Sequence, residues 1–358
     1  MSSNTISYAS VPVVTIGGSL DTVVMGDAIS LEIEEDINGM CFLELQLVTQ
    51  GPDGDHGEYS YLDRRKLDFG TTLSVRLGPE NTDPLFDGRI SAIGADFPDA
   101  GIATVTLKAE DALQDLRRTR RSRSFEQLSV ADIVQQLASE HGLTAAVGTD
   151  GPARDVVTQV NLSDLAFLRL IAQAEGAEVW LAGTTLHLAD RASRDAGSIT
   201  LRYGSELTEF TVSADLAHQC STLAVTGWSV DDKDLITASA DASRLGGELG
   251  QDVSGADILK SAFSDRNEHL VVAEPLDAAD AQLRAAAAYA ERARRFVTGT
   301  ARCSGNPVIR VGVKVTLNGL GSVFNGDYRV VRAAHCWNLV DGYTTEFDVE
   351  RAGLGRVS

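Results

Sequence analysis

The sequence predicts a mainly β chain with an α+β insert, in which two β-barrel domains flank a small α/β module. Three observations carry this. The first and last thirds are built of short Val-, Ile-, Leu- and Thr-rich segments, several with the period of two that marks a half-buried strand. Gly, Pro, Asn and Asp separate these segments as turns. Between the two β-rich thirds lie two short apolar-faced helices with capping residues at their starts. The expected divisions are residues 1–116 for the first barrel, 117–195 for an arginine-rich connector and the module, and 196–358 for the second barrel. A length of 358 residues suits two or three such units.

In the first third, strands are expected at Val11–Gly17, Ile29–Glu34, Cys41–Val48, Leu73–Leu77, Leu85–Ile93 and Ile102–Ala109. Ile29, Leu31 and Ile33 fall on one face and Ser30, Glu32 and Glu34 on the other. Turns are expected at Gly78-Pro79-Glu80-Asn81 and Phe97-Pro98-Asp99. Six strands at this spacing fit a small antiparallel barrel or sandwich.

The middle opens on Arg117, Arg118, Arg120, Arg121 and Arg123, five arginines in seven residues. Ser129 then reads as an N-cap with Asp132 three residues on, and Ile133, Val134 and Leu137 form an apolar face before Gly142. Ser163 repeats the pattern, with Asp164 in the first turn, Leu165, Leu168, Leu170 and Ile171 behind it, and Gly176 at the end. Strands Glu178–Leu181 and Thr185–Leu188 follow across Ala182-Gly183, a hairpin signal.

Strands resume at Ile199–Tyr203, Leu207–Ser213 and Thr222–Trp228. The polar, Gly-containing stretch of about 231–274 is expected as a surface insertion outside the core. Residues 277–295 read as an Ala-rich helix, with Asp277 and Asp280 early and Arg292, Arg294 and Arg295 late, as the helix dipole favours. Strands Phe296–Cys303, Lys314–Leu317, Asp327–His335 and Thr344–Glu350 close the chain, with Asn325-Gly326 and Asp341-Gly342 as turn dipeptides. Two β units of similar size suggest an internal duplication.

Composition narrows the function. With 43% hydrophobic and 23% charged residues the chain is globular. A net charge of −20 disfavours general binding to phosphate backbones or anionic membranes. No apolar run reaches the ~18 residues of a membrane span. The start lacks the basic and apolar regions of a secretory signal. Cys41, Cys220, Cys303 and Cys336 form no CxxC pair, which points to a reducing cytoplasm.

No catalytic, cofactor-binding or metal-ligating set stands out. GxSxG, HExxH and Walker motifs are absent from the sequence, and Gly17-Gly18, Gly246-Gly247 and Gly319-Leu320-Gly321 read as turns. His335 and Cys336 point to opposite faces of a strand and make no thiol–imidazole pair. Trp180, Trp228 and Trp337 could stack on sugars, but their apolar strand settings favour core or protomer-interface packing. The five arginines have three readings: pairing with carboxylates across a protein interface, a solvated connector, or nucleic-acid contact. The last is disfavoured by net charge and by the lack of interleaved aromatics.

Several spaced motifs resemble one family. Gly305-Asn306-Pro307, Val311-Gly312-Val313-Lys314-Val315, Gly319-Leu320-Gly321 and Phe324-Asn325-Gly326-Asp327-Tyr328-Arg329-Val330 look like the closing strands of the phage late control protein D family. His335 with Gly342-Tyr343-Thr344-Thr345-Glu346-Phe347 is similar to its usual finish. Arg120, Phe125 and Ser129 to Val134, then Gln159, Asn161 and Ser163 to Leu168, then Glu178-Val179-Trp180 before Leu186-His187, resemble its middle. The resemblance covers nearly the whole chain, in order.

It implies a non-enzymatic baseplate hub protein of a contractile tail or injection system, similar to the N-terminal hub region of the valine-glycine-repeat spike proteins. Phage, tailocin and domesticated injection system remain equal settings. The implied assembly is a homotrimer whose tube-like barrels join a hexameric inner tube to a trimeric spike. Implied partners are the spike protein, inner tube or tube-initiator proteins and baseplate wedge components, without nucleic acid, membrane span or cofactor. The chain stops seven residues after Arg351, so the spike is expected on a separate polypeptide. Assembly is expected in the cytoplasm, before incorporation into the particle. The rival readings are a cell-wall-binding or lytic tail-associated protein, and a secreted adhesin.

Overall fold

Alternation decides the strands, and where it fails the sequence misleads. The computed structural model describes residues 11–49, 59–78, 83–149, 151, 153–194, 196–230 and 232–356; of the turn expected at 78–81 only Gly78 lies among them. The first unit holds β1 (Val13–Ile16), β2 (Ser19–Leu20), α1 (Thr22–Asp27), β3 (Ala28–Asp36), β4 (Cys41–Val48), β5 (Thr72–Arg76), β6 (Phe86–Asp96) and β7 (Thr104–Glu110). Leu31 and Ile33 of β3 and Leu43, Leu45 and Leu47 of β4 turn inward to one apolar core, as their period of two requires.

The middle module follows as α2 (Leu113–Arg117), β8 (Arg120–Leu128), α3 (Val130–Glu140), β9 (Thr144–Val147), β10 (Arg154–Ser163), α4 (Asp164–Glu175), β11 (Ala177–Ala182) and β12 (Thr185–Asp190). Ser129 and Asp132 form a reciprocal capping box at α3. Ser163 caps α4, and Gly176 ends it in the left-handed conformation at φ +66°. The two helices bury Ile133, Val134, Leu137, Leu165, Leu168 and Ile171 in a second core.

The remainder comprises β13 (Ser198–Arg202), β14 (Leu207–Ala214), β15 (Thr222–Ser229), β16 (Asp234–Asp241), β17 (Val253–Ser254), α5 (Gly255–Phe263), β18 (Asn267–Pro275) and α6 (Ala278–Arg294). After these come β19 (Val297–Ser304), β20 (Lys314–Asn318), α7 (Gly321–Phe324), β21 (Gly326–Asn338), β22 (Gly342–Arg351) and β23 (Gly353–Leu354).

The stretch expected as a surface excursion differs from that reading. It carries β16, α5 and β18, and β16 and β18 flank β15 in a three-stranded sheet. Ala281, Ala285, Tyr289 and Ala293 recur every fourth residue and form the buried face of α6, which packs on β15 and β16. Leu223, Val225, Ala240 and Leu245 join them in a core of their own. The composition of this segment hid it, because the residues it packs, such as Ile236, Leu245, Leu249 and Leu270, are spread among polar residues and glycines, while the helix that covers the sheet meets it largely through alanines.

The two β units are not independent sheets. Their strands run in one curled sheet of order β14-β19-β22-β21-β3-β4-β7-β6-β5-β1-β2, with β20 and β13 branching from β21. The seam is antiparallel β21 against β3, from Arg332 beside Asp36 to Asn338 beside Ser30. The first four residues of β21 pair instead with β20, from Gly326 beside Leu317 to Arg329 beside Lys314. β21 therefore belongs to both units.

The module sits against one end of this seam. Gly39, in the β3–β4 turn at φ +91°, lies so close to β11 that a Cβ would fall 2.0 Å from the Val179 carbonyl oxygen. Arg169 of α4 donates to the Asn38 carbonyl oxygen at 2.9 and 2.6 Å.

Charged groups fill the junction of all four cores. Glu35 of β3 accepts from Arg310 Nε and Nη2 at 2.7 and 2.8 Å and from the Val311 amide at 2.7 Å. Glu178 of β11 accepts from Arg329 Nη2 at 3.0 Å and lies 3.6 Å from Arg194 Nη1. Arg191 pairs with Glu350, and Arg294 of α6 holds Glu248 with two bonds, at 2.9 and 2.6 Å. Burial works against the Glu35 charge, but Arg310 outweighs it and holds the carboxyl below its ordinary range. Burial draws Arg329 down to about 10.

Buried His335 sits beside this cluster, its Nδ1 paired with the Tyr343 hydroxyl at 2.8 Å. Burial, reinforced by Arg310, lowers its pKa to about 4.

Glu35→Gln leaves Arg310 without its counter-charge and should cost roughly 2–4 kcal/mol, since breaking a buried pair strands the remaining ion. Urea denaturation at pH 7 measures this; a loss below about 0.5 kcal/mol would remove Glu35 from the framework.

His335 should impose an acid limit. Its folded pKa lies below the unfolded value, so its contribution is complete above about pH 6.5 and drains away as pH falls toward 4. Buried Asp111, which burial raises to about 6, has the opposite sign and gains stability over much of that range. The His335 contribution is therefore read as wild type minus His335→Gln in urea midpoints across pH 4–7. That difference should shrink or reverse on acidification, and a flat difference contradicts the assignment.

Candidate functional site

The arginine run spans the end of α2, at Arg117 and Arg118, and the start of a strand, at Arg120, Arg121 and Arg123. β8 pairs antiparallel with β10, from Leu128 beside Arg154 to Arg120 beside Ser163, with an irregularity between Gln159 and Leu162. The alternation Arg-Ser-Arg-Ser over 121–124 has the strand period, written in charge where apolar residues are usual.

Arg121, Arg123 and Phe125 consequently point inward. Arg123 donates to Gln159 Oε1 at 2.9 Å, Glu140 Oε2 at 2.8 Å and Asp164 Oδ1 at 2.9 Å. Its guanidinium lies 5.1 Å from the Phe125 ring centroid. Arg121 Nη1 meets Glu140 Oε2 at 2.8 Å, and His141 Nε2 contacts Asp164 Oδ2 at 2.9 Å. Burial opposes the charge of Asp164, yet hydrogen bonds from His141 and Gln159 and the two arginine cations hold its carboxyl below the usual range.

Arg117 pairs with Glu110. Arg118 bonds Gln114 and lies 3.8 Å from Asp115, with more than half of its side chain exposed. Arg120 points outward and forms no ion pair among the described residues. The five arginines thus divide: Arg121 and Arg123 turn inward from β8, Arg117 and Arg118 hold side chains of the chain from partly exposed positions at the end of α2, and Arg120 faces solvent.

Other candidates resolve by burial. Trp180 is buried, stacked on His187 at 4.7 Å, and Trp337 lies in the first core. Trp228 is half exposed on the face of β15 turned away from α6. Cys303 and Cys336 pair with neighbouring residues Thr345 and Thr344 of β22. Burial raises their thiols to about 12 and about 11, which leaves neither as a ready thiolate at neutral pH.

An open polar cleft of about 570 Å³ is lined by Thr200, Arg202, Glu206, Asn318, Gly319 and Asn325. Glu206 is its one carboxylate, whereas glycoside hydrolysis commonly uses two. Among the described residues no cluster of three or more His, Cys, Asp or Glu could hold a metal ion, and no helix is long and apolar enough to cross a membrane.

Sequence reasoning missed the sheet edges. At one end of the curled sheet β14 has β19 as its single ladder partner among the described residues. Near the other end, β6 pairs with β5 only over Phe86–Arg89, so among the described residues its Ser91–Asp96 half has strand β7 on one side and no ladder on the other. β14 itself, LTEFTVSA, gave no signal, since it lacks the Pro or Lys that marks a protected edge.

Arg123→Ser removes the partner of two carboxylates and should cost roughly 2–3 kcal/mol, while Arg120→Ser stays within about 0.5 kcal/mol. Thermal and urea unfolding of the two single variants tests the division; equal losses contradict it.

Comparison with known proteins follows this geometry. A family model described as the Alg8 N-terminal domain matches residues 7–337. No curated protein matches the sequence. Among solved structures, the 43 kDa tail protein of prophage MuSo2 from Shewanella oneidensis superposes with a TM-score of 0.72 at 14% identity, over 96% of this chain and 98% of that one. The E. coli c3393 protein is a type VI secretion component described as structurally similar to T4 bacteriophage tail proteins gp27 and gp5. It gives 0.57 at 12% identity, over 96% and 79%. A Francisella PdpA-VgrG complex gives 0.52 at 9% identity, over 97% and 59%. The fold is therefore the one that the closing-strand motifs resembled, shared with phage tail and VgrG-type proteins.

Proposed function

This chain belongs to the Alg8 N-terminal domain family, and we propose that it is a structural hub subunit of a contractile tail or injection system. In this reading three copies form a ring that joins a hexameric inner tube to a trimeric spike carried on a separate chain. The division into 1–116, 117–195 and 196–358 then has a purpose. Two tube-like β units per copy give six positions around the channel, and the middle module clamps one end of the seam between them. Assembly takes place in the cytoplasm before incorporation into the particle, with baseplate wedge components on the outer surface, where Arg118 and Arg120 offer cations to acidic partners.

One observation carries the reading: a single curled sheet already joins the two β units, and among the described residues β14 and half of β6 each leave one edge without a ladder. β21 against β3 is a junction between unlike units made by ordinary antiparallel pairing. The free edge of β14 and the free half of β6 are placed to repeat such a junction between copies, and a heterologous contact that closes gives a ring. The work is geometric, and no pair of groups in the polar cleft offers acid–base chemistry.

Co-expression with the spike chain should yield a complex containing three copies of the 38.1 kDa subunit, measured by native mass spectrometry. Thr211→Lys with Ser213→Lys charges the β14 edge and should reduce ring formation at least about tenfold while the single chain stays folded. A ring that tolerates the two lysines, or a complex with one or six subunits, contradicts this arrangement.

A further inference from the structure

Strand register gathers two solvent-exposed turns at one end of the first β unit. Asn338 lies beside Ser30 and Gly342, Ala28 beside Leu47, Val48 beside Thr104, and Thr104 beside Asp96. The turn after Asn338 and the turn between Asp96 and Thr104 therefore share a rim. Along β21-β3-β4-β7-β6 they stand four strand spacings apart, roughly 19 Å.

Both turns present apolar side chains to solvent: Leu339 at 70% exposure and Val340 at 92%, Phe97 at 55% and Ile102 at 66%. Neither presentation is loose. Asn338 Oδ1 accepts from the Val340 and Asp341 amides at 2.8 and 2.7 Å, and its Nδ2 donates to Asp341 Oδ2 at 3.1 Å. Tyr59 braces Phe97 edge to face at 5.0 Å. Between Tyr59, Phe97, Pro98 and Ile102 the rim opens as a cleft of about 540 Å³. Side chains held in place before contact lose little freedom on binding, which is how small anchors become effective.

Charge narrows the occupant. The turns carry Asp96, Asp99 and Asp341 and no Lys or Arg. A second copy docked rim to rim would bring like charges together. An anionic lipid surface would be repelled for the same reason.

We infer that this rim is a docking face for the annular end of a different protein, one that presents apolar sockets among lysines and arginines. The inference rests on the ring reading above. Lateral edges join copies there, and strand ends, tilted in a closed barrel, face along its axis. Three copies repeat the four anchors, so weak single contacts combine into a strong one.

The test uses the ring assembled with its spike chain, and the inner-tube subunit of the same system as probe. Variants are Leu339→Ser with Val340→Ser, Phe97→Ser with Ile102→Ser, and Asp99→Lys with Asp341→Lys. Each should leave ring mass and thermal unfolding unchanged and lower capture of the tube subunit at least tenfold. The charge reversal alone should regain part of its loss at 500 mM salt. Unchanged capture by all three variants overturns the inference while the ring reading stands. If the wild-type ring does not form, the reading falls and the inference with it. Flotation of the wild-type ring with phosphatidylcholine–phosphatidylglycerol vesicles, or rim-to-rim pairing of rings abolished by Leu339→Ser, would also overturn it.

Discussion

Four apolar cores meet around a set of buried charges, and the arrangement of the chain follows from how those charges are compensated. Glu35 comes from the first β unit, Glu178 from the module, Arg329 and Glu350 from the second β unit, and Arg294 from the helix on the small sheet. Apolar contacts tolerate sliding, because burial has little directional preference. A guanidinium fork on a carboxylate does not. Moving any one unit leaves a charge in low dielectric without its partner, and that penalty makes the relative placement of the units specific. The cluster is a constraint on position more than a source of net stability.

Much of the secondary structure was legible because local chemistry dictated it. Ser129 with Asp132, Ser163 with Gly176, and Asp277 ahead of an Ala-rich run each specify a helix end through hydrogen bonds made within a few residues. Leu31 and Ile33, or Leu43, Leu45 and Leu47, disclose a strand through spacing alone. The failures were also local in origin. β8 spells its alternation with Arg and Ser, and a reading tuned to apolar residues registers a charge run. β16 and β18 flank a strand that packs on an Ala-rich helix, and the segment's own apolar residues, among them Ile236, Leu245 and Leu270, are spread among polar residues and glycines that read as a loop.

The ion cluster was beyond such reading for a different reason. Its members are scattered from Glu35 to Glu350, and each is individually an ordinary charged residue. Only the sheet order brings them together. The free edges of β14 and β6 were hidden in the same way, since a strand is an edge or a centre according to its neighbours and not its own composition. The division of the arginines depended on this too: which of Arg120, Arg121 and Arg123 faces inward was set by the alternation of β8 against β10.

The double membership of β21 has a mechanical consequence. Pulling the second β unit away from the first along the strand direction loads the β21–β3 ladder in shear. The pairs from Arg332 to Asn338 must then yield together, instead of opening one after another as a peeled hairpin does. The irregularity between Val330 and Arg332, where β21 passes from one partner to the other, keeps that ladder separate from the β20 pairing. A load along the strands is therefore shared across a whole strand, and a chain built this way can carry an impulse without its two halves parting.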